Sequence, residues 1–235
     1  MGHDSLALVG AGGGAGTTRL TLEAGTLLAR DGRDVAVLDA AYATQGLADL
    51  TPGRLDPDVT ALCLDDAPLE TGLRDRTLDG AGRLAVCPAR APFERLARAK
   101  TPEAAEAFAD RIAEAARAFD HVLVDVPPVA ANQAVAAATT VDAVVVVADA
   151  PRASDAIPRA SDRLVDIGVD PATTVVTRSA DHPDADVAVP TLEGDPPSVE
   201  NSETARERVG AVLAAVMDLS VEAEDAGGLR ERLSF

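Results

Sequence analysis

The chain has 235 residues, and its 39 acidic side chains exceed its 21 basic ones, which gives a net charge of −18. A hydrophobic content of 47% is enough to build a core, so the composition excludes an intrinsically disordered chain. No apolar run reaches the roughly 18 residues of a membrane span, Cys63 and Cys87 form no CxxC motif, and the acidic excess opposes direct binding to nucleic acid.

Short segments rich in apolar residues alternate along the chain with segments of helical periodicity. Several of them are apolar throughout rather than alternating, which predicts parallel strands covered on both faces. The first one begins at Ser5, and we therefore expect no signal peptide before it. The predicted strands are Ser5–Val9, Val35–Leu38, Arg83–Cys87, His121–Val124, Ala143–Ala148, Thr173–Val176 and Val187–Val189.

Four longer helices are predicted from the apolar periodicity. The first follows the first strand and ends at Gly32, and the second begins at an N-cap, Thr101, which is followed by a proline. The third spans Ser154–Ile167 and contains Pro158, which we expect in its first turn or at a kink. The last runs from about Glu203 to Asp218.

Alternation of strands and helices predicts an α/β fold, a doubly wound and mostly parallel sheet with helices on both faces. Ligands of such folds bind at the carboxyl ends of the strands. No linker or repeat divides the chain, so residues 1–220 are predicted to form one domain and residues 221–235 an acidic, flexible tail.

A glycine-rich segment, Gly10 to Thr18, joins the first strand to the first helix. Such a turn directs backbone N–H groups and the positive end of a helix toward one point, which suits a phosphate. The hydroxyl of Thr17 in the first helical turn is placed to ligate Mg²⁺. A glycine-rich turn is also a common structural feature, so the loop alone does not establish a phosphate-binding site. The predicted phosphate-contacting residues are Gly12, Gly13, Gly14, Ala15, Gly16, Thr17 and Thr18.

Two aspartates add a second signal at the same predicted edge. Asp39 ends the second strand, and Asp125 ends the fourth and is followed by Val-Pro-Pro. Pro151 follows the fifth strand after VVVVADA. This order, over about residues 5–218, resembles the MinD/ParA-type ATPases, P-loop proteins with a deviant Walker A loop. The resemblance implies that ATP or ADP binds together with Mg²⁺, and that Thr17, Asp39 and Asp125 hold the metal.

The resemblance also implies a position for the nucleotide base. The segment VVTRS is similar to the strand that carries a base-contacting asparagine in this family, and Thr177 stands at that position, followed by Arg178. Residues 191–197 lie where family members contact adenine, although a plain proline-rich loop is equally consistent with their sequence. Thr177 and Arg178 are therefore included among the predicted nucleotide-binding residues.

The departures from the family pattern concern the residues that carry its chemistry. Ala11 and Gly16 replace the two lysines of the loop, the first of which reaches across a dimer in the family while the second bridges the β- and γ-phosphates. Ala41 replaces the aspartate associated with the attacking water, and Val129 replaces a glycine of the second switch. Losing one charge-assisted bond predicts about tenfold to hundredfold weaker binding of a triphosphate. Hydrolysis is expected to suffer more.

Lysine is almost absent from the whole chain, since 20 of the 21 basic residues are arginines and only Lys100 is a lysine. An acidic, lysine-poor composition resembles that of cytoplasmic proteins from salt-accumulating halophiles, including haloarchaea, and an acidic protein from a GC-rich genome is the alternative. Halophilic adaptation does not explain the loop, because it would favour arginine where charge is needed, and the substitutes are alanine and glycine.

The sequence therefore predicts a cytoplasmic, degenerate MinD/ParA-like protein with weak or no hydrolysis and no assigned catalytic residue. It would act as a binding or regulatory partner in intracellular positioning or partitioning, with an intact homologue, a positioning system or a second copy of itself. The alternative is a slow ATPase that uses Asp39 and Asp125 with a compensating arginine, Arg19 or Arg178, which are otherwise paired surface residues. A scaffold without nucleotide is a third hypothesis. The tail faintly resembles a membrane-targeting helix, but a frayed or partner-docking tail is favoured.

Overall fold

Strands of nearly continuous apolar sequence form the centre of the structure, a computed structural model that describes residues 4–217. Every residue of the three central strands is buried, because helices cover both faces of the sheet. The strands are β1 Ser5–Gly10, β2 Asp34–Asp39, β3 Arg74–Arg76, β4 Arg83–Cys87, β5 His121–Val126, β6 Ala143–Asp149, β7 Thr173–Thr177 and β8 Val187–Val189.

The sheet has the strand order β3-β4-β2-β5-β1-β6-β7-β8, and all neighbours are parallel except the antiparallel pair β3–β4. The predicted doubly wound α/β fold is confirmed, and the seven predicted strands are all present. Strand β3 was missed because its sequence, Arg-Asp-Arg, has no apolar residue. It lies at the edge of the sheet, where Asp75 forms an ion pair of 2.8 Å with Arg83.

The helices divide between the two faces of the sheet. Helices α1 and α8 contribute to one buried core, while α3 to α7 contribute to the other. Their bounds are α1 Thr17–Arg30, α2 Gly46–Asp49, α3 Val59–Asp65, α4 Phe93–Arg98, α5 Pro102–Ala118, α6 Asn132–Thr140, α7 Ala153–Asp166 and α8 Glu203–Val216.

The predicted helix signals are largely confirmed. Thr101 caps α5 by accepting the amide of Ala104, and Gly32 follows α1 with a φ of 87°. Pro158 lies inside α7 rather than in its first turn, so the helix lacks one main-chain hydrogen bond there. Helix α8 ends at Val216, two residues before the predicted end.

Among residues 4–217, no helix is both long enough and apolar enough to cross a membrane. The predicted domain boundary at residue 220 and the predicted tail, 221–235, lie outside the described residues.

Candidate functional site

The glycine loop lies at the carboxyl edge of the sheet, between β1 and the start of α1. Gly14 and Gly16 have φ values of 77° and 86°, in the left-handed region where a side chain is strained. Gly10 is required for another reason, because a Cβ there would lie 2.9 Å from Oγ1 of Thr17. The glycines therefore allow the chain to turn sharply and bring the strand end against the helix start.

The loop turns its carbonyl groups toward neighbouring side chains. The carbonyl oxygen of Gly13 accepts a hydrogen bond of 2.7 Å from Arg152, and that of Gly14 accepts one of 2.9 Å from Arg178. The hydroxyl of Thr177 donates to the carbonyl oxygen of Ala15 at 2.8 Å. Three side chains from the ends of β6 and β7 thus hold one side of the loop.

The amides of the loop are left available. Within residues 4–217, no acceptor is bonded to the main-chain N–H groups of Gly12, Gly13, Gly14, Gly16, Thr17 and Thr18. Donors clustered at a helix start, with the positive end of the helix behind them, form an anion-binding nest. The predicted loop residues are therefore brought together as a group that suits a phosphate.

Asp149 positions two of the side chains that hold the loop. This residue ends β6 and is 8% exposed, and its Oδ1 lies 2.7 Å from Nη2 of Arg152. Its Oδ2 lies 3.8 Å from Nη1 of Arg178. Sequence reasoning considered Arg19 and Arg178 as the cations near the loop and missed Asp149 and Arg152. The available signal was Pro151, the family marker that lies between them.

Arg19 points away from the loop toward the segment 193–198. Its guanidinium group donates to the hydroxyl of Ser198 at 2.6 Å and to the carbonyl oxygen of Gly194 at 3.0 Å. It also pairs at 3.4 Å with Glu23, a fully buried carboxylate that accepts the amides of Ser198 and Val199. Arg19 is therefore a paired surface arginine, and in this structure it does not compensate for the missing lysines.

Asp39 and Asp125 are register neighbours on the adjacent parallel strands β2 and β5. Both are buried, with exposed fractions of 0% and 1%, and their side chains leave the sheet on the same side. Asp39 accepts the amides of Ala41 and Ala89 at 2.7 and 3.1 Å. Asp125 accepts a hydrogen bond of 2.6 Å from the hydroxyl of Thr18.

This proximity affects the protonation of both carboxyl groups. Burial, and then the charge of Asp125, raise the pKa of Asp39 to about 8. Burial also raises the pKa of Asp125 to about 6, although the bond from Thr18 opposes that rise. Two buried carboxylates without a cation between them are costly to ionise, and a cation would lower that cost.

Thr17 opens α1 beside this pair, and it is 9% exposed. A hydroxyl and two carboxylates are oxygen ligands of the kind that Mg²⁺ prefers. Among residues 4–217, no group of three or more histidines, cysteines or acidic residues forms a metal cluster. The predicted set therefore fits Mg²⁺ only as a partial shell, to be completed by phosphate oxygens and water.

The residues that differ from the MinD/ParA sequence pattern make structural contacts. Ala11 donates its amide to the carbonyl oxygen of Val147 at 2.8 Å, and its methyl group packs against a core. The amide of Ala41 is the donor to Asp39 described above, and the carbonyl oxygen of Val129 accepts a bond of 3.0 Å from Arg163. None of these contacts supplies a positive charge to the loop.

Gly16 is the most informative of these positions. A Cβ at this glycine would lie 3.5 Å from Oγ1 of Thr177, and the φ of 86° disfavours any side chain. Thr177 is 8% exposed and uses its hydroxyl on loop and strand carbonyls. The hydroxyl proton of Thr177 is thus committed to these carbonyl oxygens, which leaves its methyl group and the acceptor side of its oxygen as the surface for a base. Together with Arg178 and residues 190–192, that surface lines a cavity of about 120 Å³.

Comparison with known proteins adds evidence at the level of the fold. No protein-family model matches this chain, and no curated protein matches it. The septum site-determining protein MinD from Pyrococcus horikoshii, solved with Mg-ADP, is 17% identical with a TM-score of 0.71, over 88% of this chain and 93% of that one.

Two other solved structures are similar. Cobyrinic acid a,c-diamide synthase from Mycobacterium smegmatis, with ADP and magnesium, is 20% identical with a TM-score of 0.67, over 90% of this chain and 94% of that one. The apo McdA structure from Cyanthece is 16% identical with a TM-score of 0.60, over 90% and 81%. The chain therefore has the fold of the MinD/ParA-type P-loop ATPases.

Proposed function

We propose that this chain is a degenerate MinD/ParA-type protein that binds a magnesium nucleotide weakly, hydrolyses it little or not at all, and acts as a binding or regulatory partner. The fold neighbours solved with Mg-ADP support a nucleotide at this edge of the sheet. The MinC:MinD complex of Aquifex aeolicus, 23% identical over 75% of this chain, supports a protein partner in intracellular positioning.

The glycine loop carries the proposal. Its free amides and the start of α1 form a nest for the phosphates, and Arg152 and Arg178 bind the outer carbonyls instead of occupying that nest. Backbone donors bind an anion without a full positive charge. Without the charge-assisted bond that a lysine at Gly16 would make, we expect affinity about tenfold to hundredfold below that of a lysine-containing loop.

Hydrolysis is expected to be impaired further than binding. Charge develops on the transferred phosphoryl group in the transition state, and fixed cations stabilise that charge. Gly16 and Ala11 provide none, and Ala41 has no group that could orient a water molecule. Mg²⁺, when bound with nucleotide, would neutralise part of the phosphate charge. Thr17, Asp39 and Asp125 are the residues of this chain that would hold it.

One observation favours a second candidate, a slow ATPase. Arg152 and Arg178 contact carbonyl oxygens of the loop and are half exposed, at 49% and 50% of their side chains. Either guanidinium group would have to leave its carbonyl oxygen and its contact with Asp149 to reach a phosphate. Arg19 is less suited to this role, because it is bonded to the segment 193–198. A scaffold that binds no nucleotide is the third hypothesis.

Calorimetric titration with ADP and ATP, each with and without Mg²⁺, tests the proposal together with a turnover assay. We expect weak, Mg²⁺-dependent binding without turnover, and binding reduced at least tenfold in Asp125→Ala. Asp79→Asn, an exposed carboxylate on a loop, is the matched control. Turnover that Asp125→Ala and Arg152→Gln both abolish would establish the slow ATPase. If neither nucleotide binds, the scaffold without nucleotide is the hypothesis that the result supports.

Self-association tests the proposed partner class. In the family pattern, the lysine that crosses a dimer stands at the position of Ala11, so ATP is not expected to drive a homodimer through that contact. Light scattering after size-exclusion chromatography, with and without Mg-ATP, measures this directly. A nucleotide-dependent dimer of the purified chain would favour self-pairing over pairing with an intact homologue.

We also propose that the protein is cytoplasmic and halophilic. The halophilic character predicts that the free energy of unfolding rises with the concentration of KCl.

A further inference from the structure

Helix α7 has a row of arginines that faces the glycine loop. Arg152 is the N-cap residue and makes no side-chain capping bond, and Arg159 and Arg163 follow at seven and eleven residues, a spacing that places the three within about 20° of one line along the helix. The two outer members are tethered to main-chain oxygens, Arg152 to Gly13 at 2.7 Å and Arg163 to Val129 at 3.0 Å. The row therefore spans from the loop to the segment after β5.

The central member of the row borders a cavity. A space of about 290 Å³ lies between the loop, Pro128, Val129 and α7, and both Arg159 and Arg163 line it. Arg159 forms no hydrogen bond or ion pair with any residue between 4 and 217, although Asp162 and Asp166 follow on the same helix. Its guanidinium group is therefore available to an anion that enters the cavity.

The remaining walls of this cavity are largely apolar. They consist of Val9, Ala11, Pro128, Val129 and Ala160, together with the backbone of the glycines beside Ala11. Apolar walls with a few convergent polar groups are typical of small-molecule sites, and this volume lies at the small end of their range. Guanidinium groups bind carboxylates through two parallel hydrogen bonds.

We propose that this cavity binds the carboxylate of a small organic acid, with Arg159 and Arg163 on the carboxylate and the apolar walls around a short aliphatic body. Inorganic phosphate would bind the arginines but would make no contact with the apolar walls, so we expect a ligand that has both a carboxylate and an aliphatic part. The proposal does not depend on nucleotide binding. The cavity and the amide nest share Gly12, but Arg159 and Arg163 bond no atom of the glycine loop, so a carboxylate can bind them without a nucleotide.

Nuclear magnetic resonance of the ¹⁵N-labelled full chain tests this site with defined probes. Hexanoate is titrated beside 1-hexanol, which lacks the charge, and beside acetate and inorganic phosphate, which lack the aliphatic body. We expect hexanoate to shift the Nε–Hε signal of Arg159 and the amides of Ala11 and Val129 saturably, with a Kd of about 1 mM or below. The other three probes are expected to bind at least tenfold more weakly.

Variants decide whether the arginine is responsible. Arg159→Gln should weaken the binding of hexanoate at least tenfold. The affinity of Arg159→Lys should lie between that of Arg159→Gln and that of the original protein, and Arg117→Gln on α5 should leave the affinity unchanged. Arg159 is exposed, so these variants are expected to fold, which unfolding by urea checks. Equal binding of hexanol and hexanoate, or unchanged binding in Arg159→Gln, would overturn the proposal. Neither result would bear on the calorimetry of nucleotides, so the two proposals fail separately.

Discussion

The glycine loop and the carboxylate pair face each other at one edge of the sheet, and they differ in the groups that each offers to a ligand. The loop keeps its backbone geometry, with free amides and positive φ values at Gly14 and Gly16, but it has no cationic side chain of its own. Asp39 and Asp125 carry ionisable carboxyl groups that are buried side by side, with no cationic side chain between them among the described residues. The loop therefore offers backbone donors, and the pair offers carboxyl groups.

This difference shows what each half costs the folded protein. Unbonded glycine amides at a loop surface are inexpensive, because water can solvate them. Two buried carboxylates are expensive, since burial and mutual repulsion both oppose their ionisation. The Mg²⁺ proposed above would offset that cost if it binds between them. The predictions below test whether the two halves differ energetically in this way.

The largest expected effect is on the pH dependence of stability. Because the folded-state pKa of Asp39 is raised to about 8 from an ordinary value near 3.8, the folded chain binds more protons than the unfolded chain between those values. The free energy of unfolding should therefore fall as pH rises from about 4 to about 8, by about 1.4 kcal/mol per pH unit for each such proton. Asp39→Asn should flatten that slope. Urea unfolding followed by circular dichroism at pH 5, 6.5 and 8 measures it.

A control separates this pair from the general acidity of the chain. Asp79→Asn removes an exposed carboxylate and should leave the slope as it is. Absolute stability is not the criterion, because Asn at position 39 can accept only one of the amides of Ala41 and Ala89. A slope that is the same in Asp39→Asn and in the original protein would mean that the carboxylate pair is not costly, and the comparison above would fail.

Thr18 is the residue that joins the two halves, and its removal should have the next largest effect. Thr18→Val deletes the hydroxyl that bonds the Asp125 carboxylate at 2.6 Å, a charge-assisted bond worth about 1.5–3 kcal/mol. Because the bond favours the ionised form of Asp125, the loss of stability should be larger at pH 8 than at pH 5. The same urea unfolding experiments measure both values.

Thr21→Val is the matched control for this change. Its hydroxyl donates to the carbonyl oxygen of Thr17 one turn away, a bond between neutral groups. That substitution should cost less than about 1.5 kcal/mol and show no pH dependence. If Thr18→Val were no more sensitive to pH than Thr21→Val, the Thr18 hydroxyl would not favour the ionised form of Asp125.

The sequence could predict the fold because each central strand is a continuous apolar segment and each long helix has an apolar face. Both signals come from burial, and burial is what the sheet and its two helical layers require. Strand β3 could not be found this way, since Arg74, Asp75 and Arg76 bury no apolar side chain. Its pairing depends on β4 and on the edge of the sheet, neither of which is visible in a local pattern.

The site was only partly predictable. The positions of Asp39, Asp125 and the glycine loop follow from strand ends, and the structure places them at one edge. The orientation of long side chains does not follow from spacing, so Arg19 was considered beside the loop and Arg152 was not considered at all. Asp149 and Glu23 were missed because each also has partners distant in sequence, Arg178 for Asp149 and the amides of Ser198 and Val199 for Glu23. The role of these residues toward a nucleotide stays a prediction.

The smallest effect on stability, and the most local one, is expected for Arg152→Gln. The guanidinium group is half exposed, so losing its contacts with Asp149 and Gly13 should change the free energy of unfolding by less than about 1 kcal/mol. The loop should nevertheless become more mobile, because it loses one of the side chains that hold its carbonyl oxygens. Backbone ¹⁵N relaxation should show order parameters at Gly13 and Gly14 falling from about 0.85 toward 0.6, with no change at Asp39.

Arg178→Gln is the companion variant, because Arg178 bonds the next carbonyl oxygen, that of Gly14. If each arginine holds its own peptide group, the two variants should affect neighbouring residues and the double variant should affect both. Unchanged order parameters in the double variant would mean that the glycine geometry alone fixes the loop. Arg152 and Arg178 would then be available to leave their carbonyls, and the slow-ATPase alternative would gain the mobile cation that it requires.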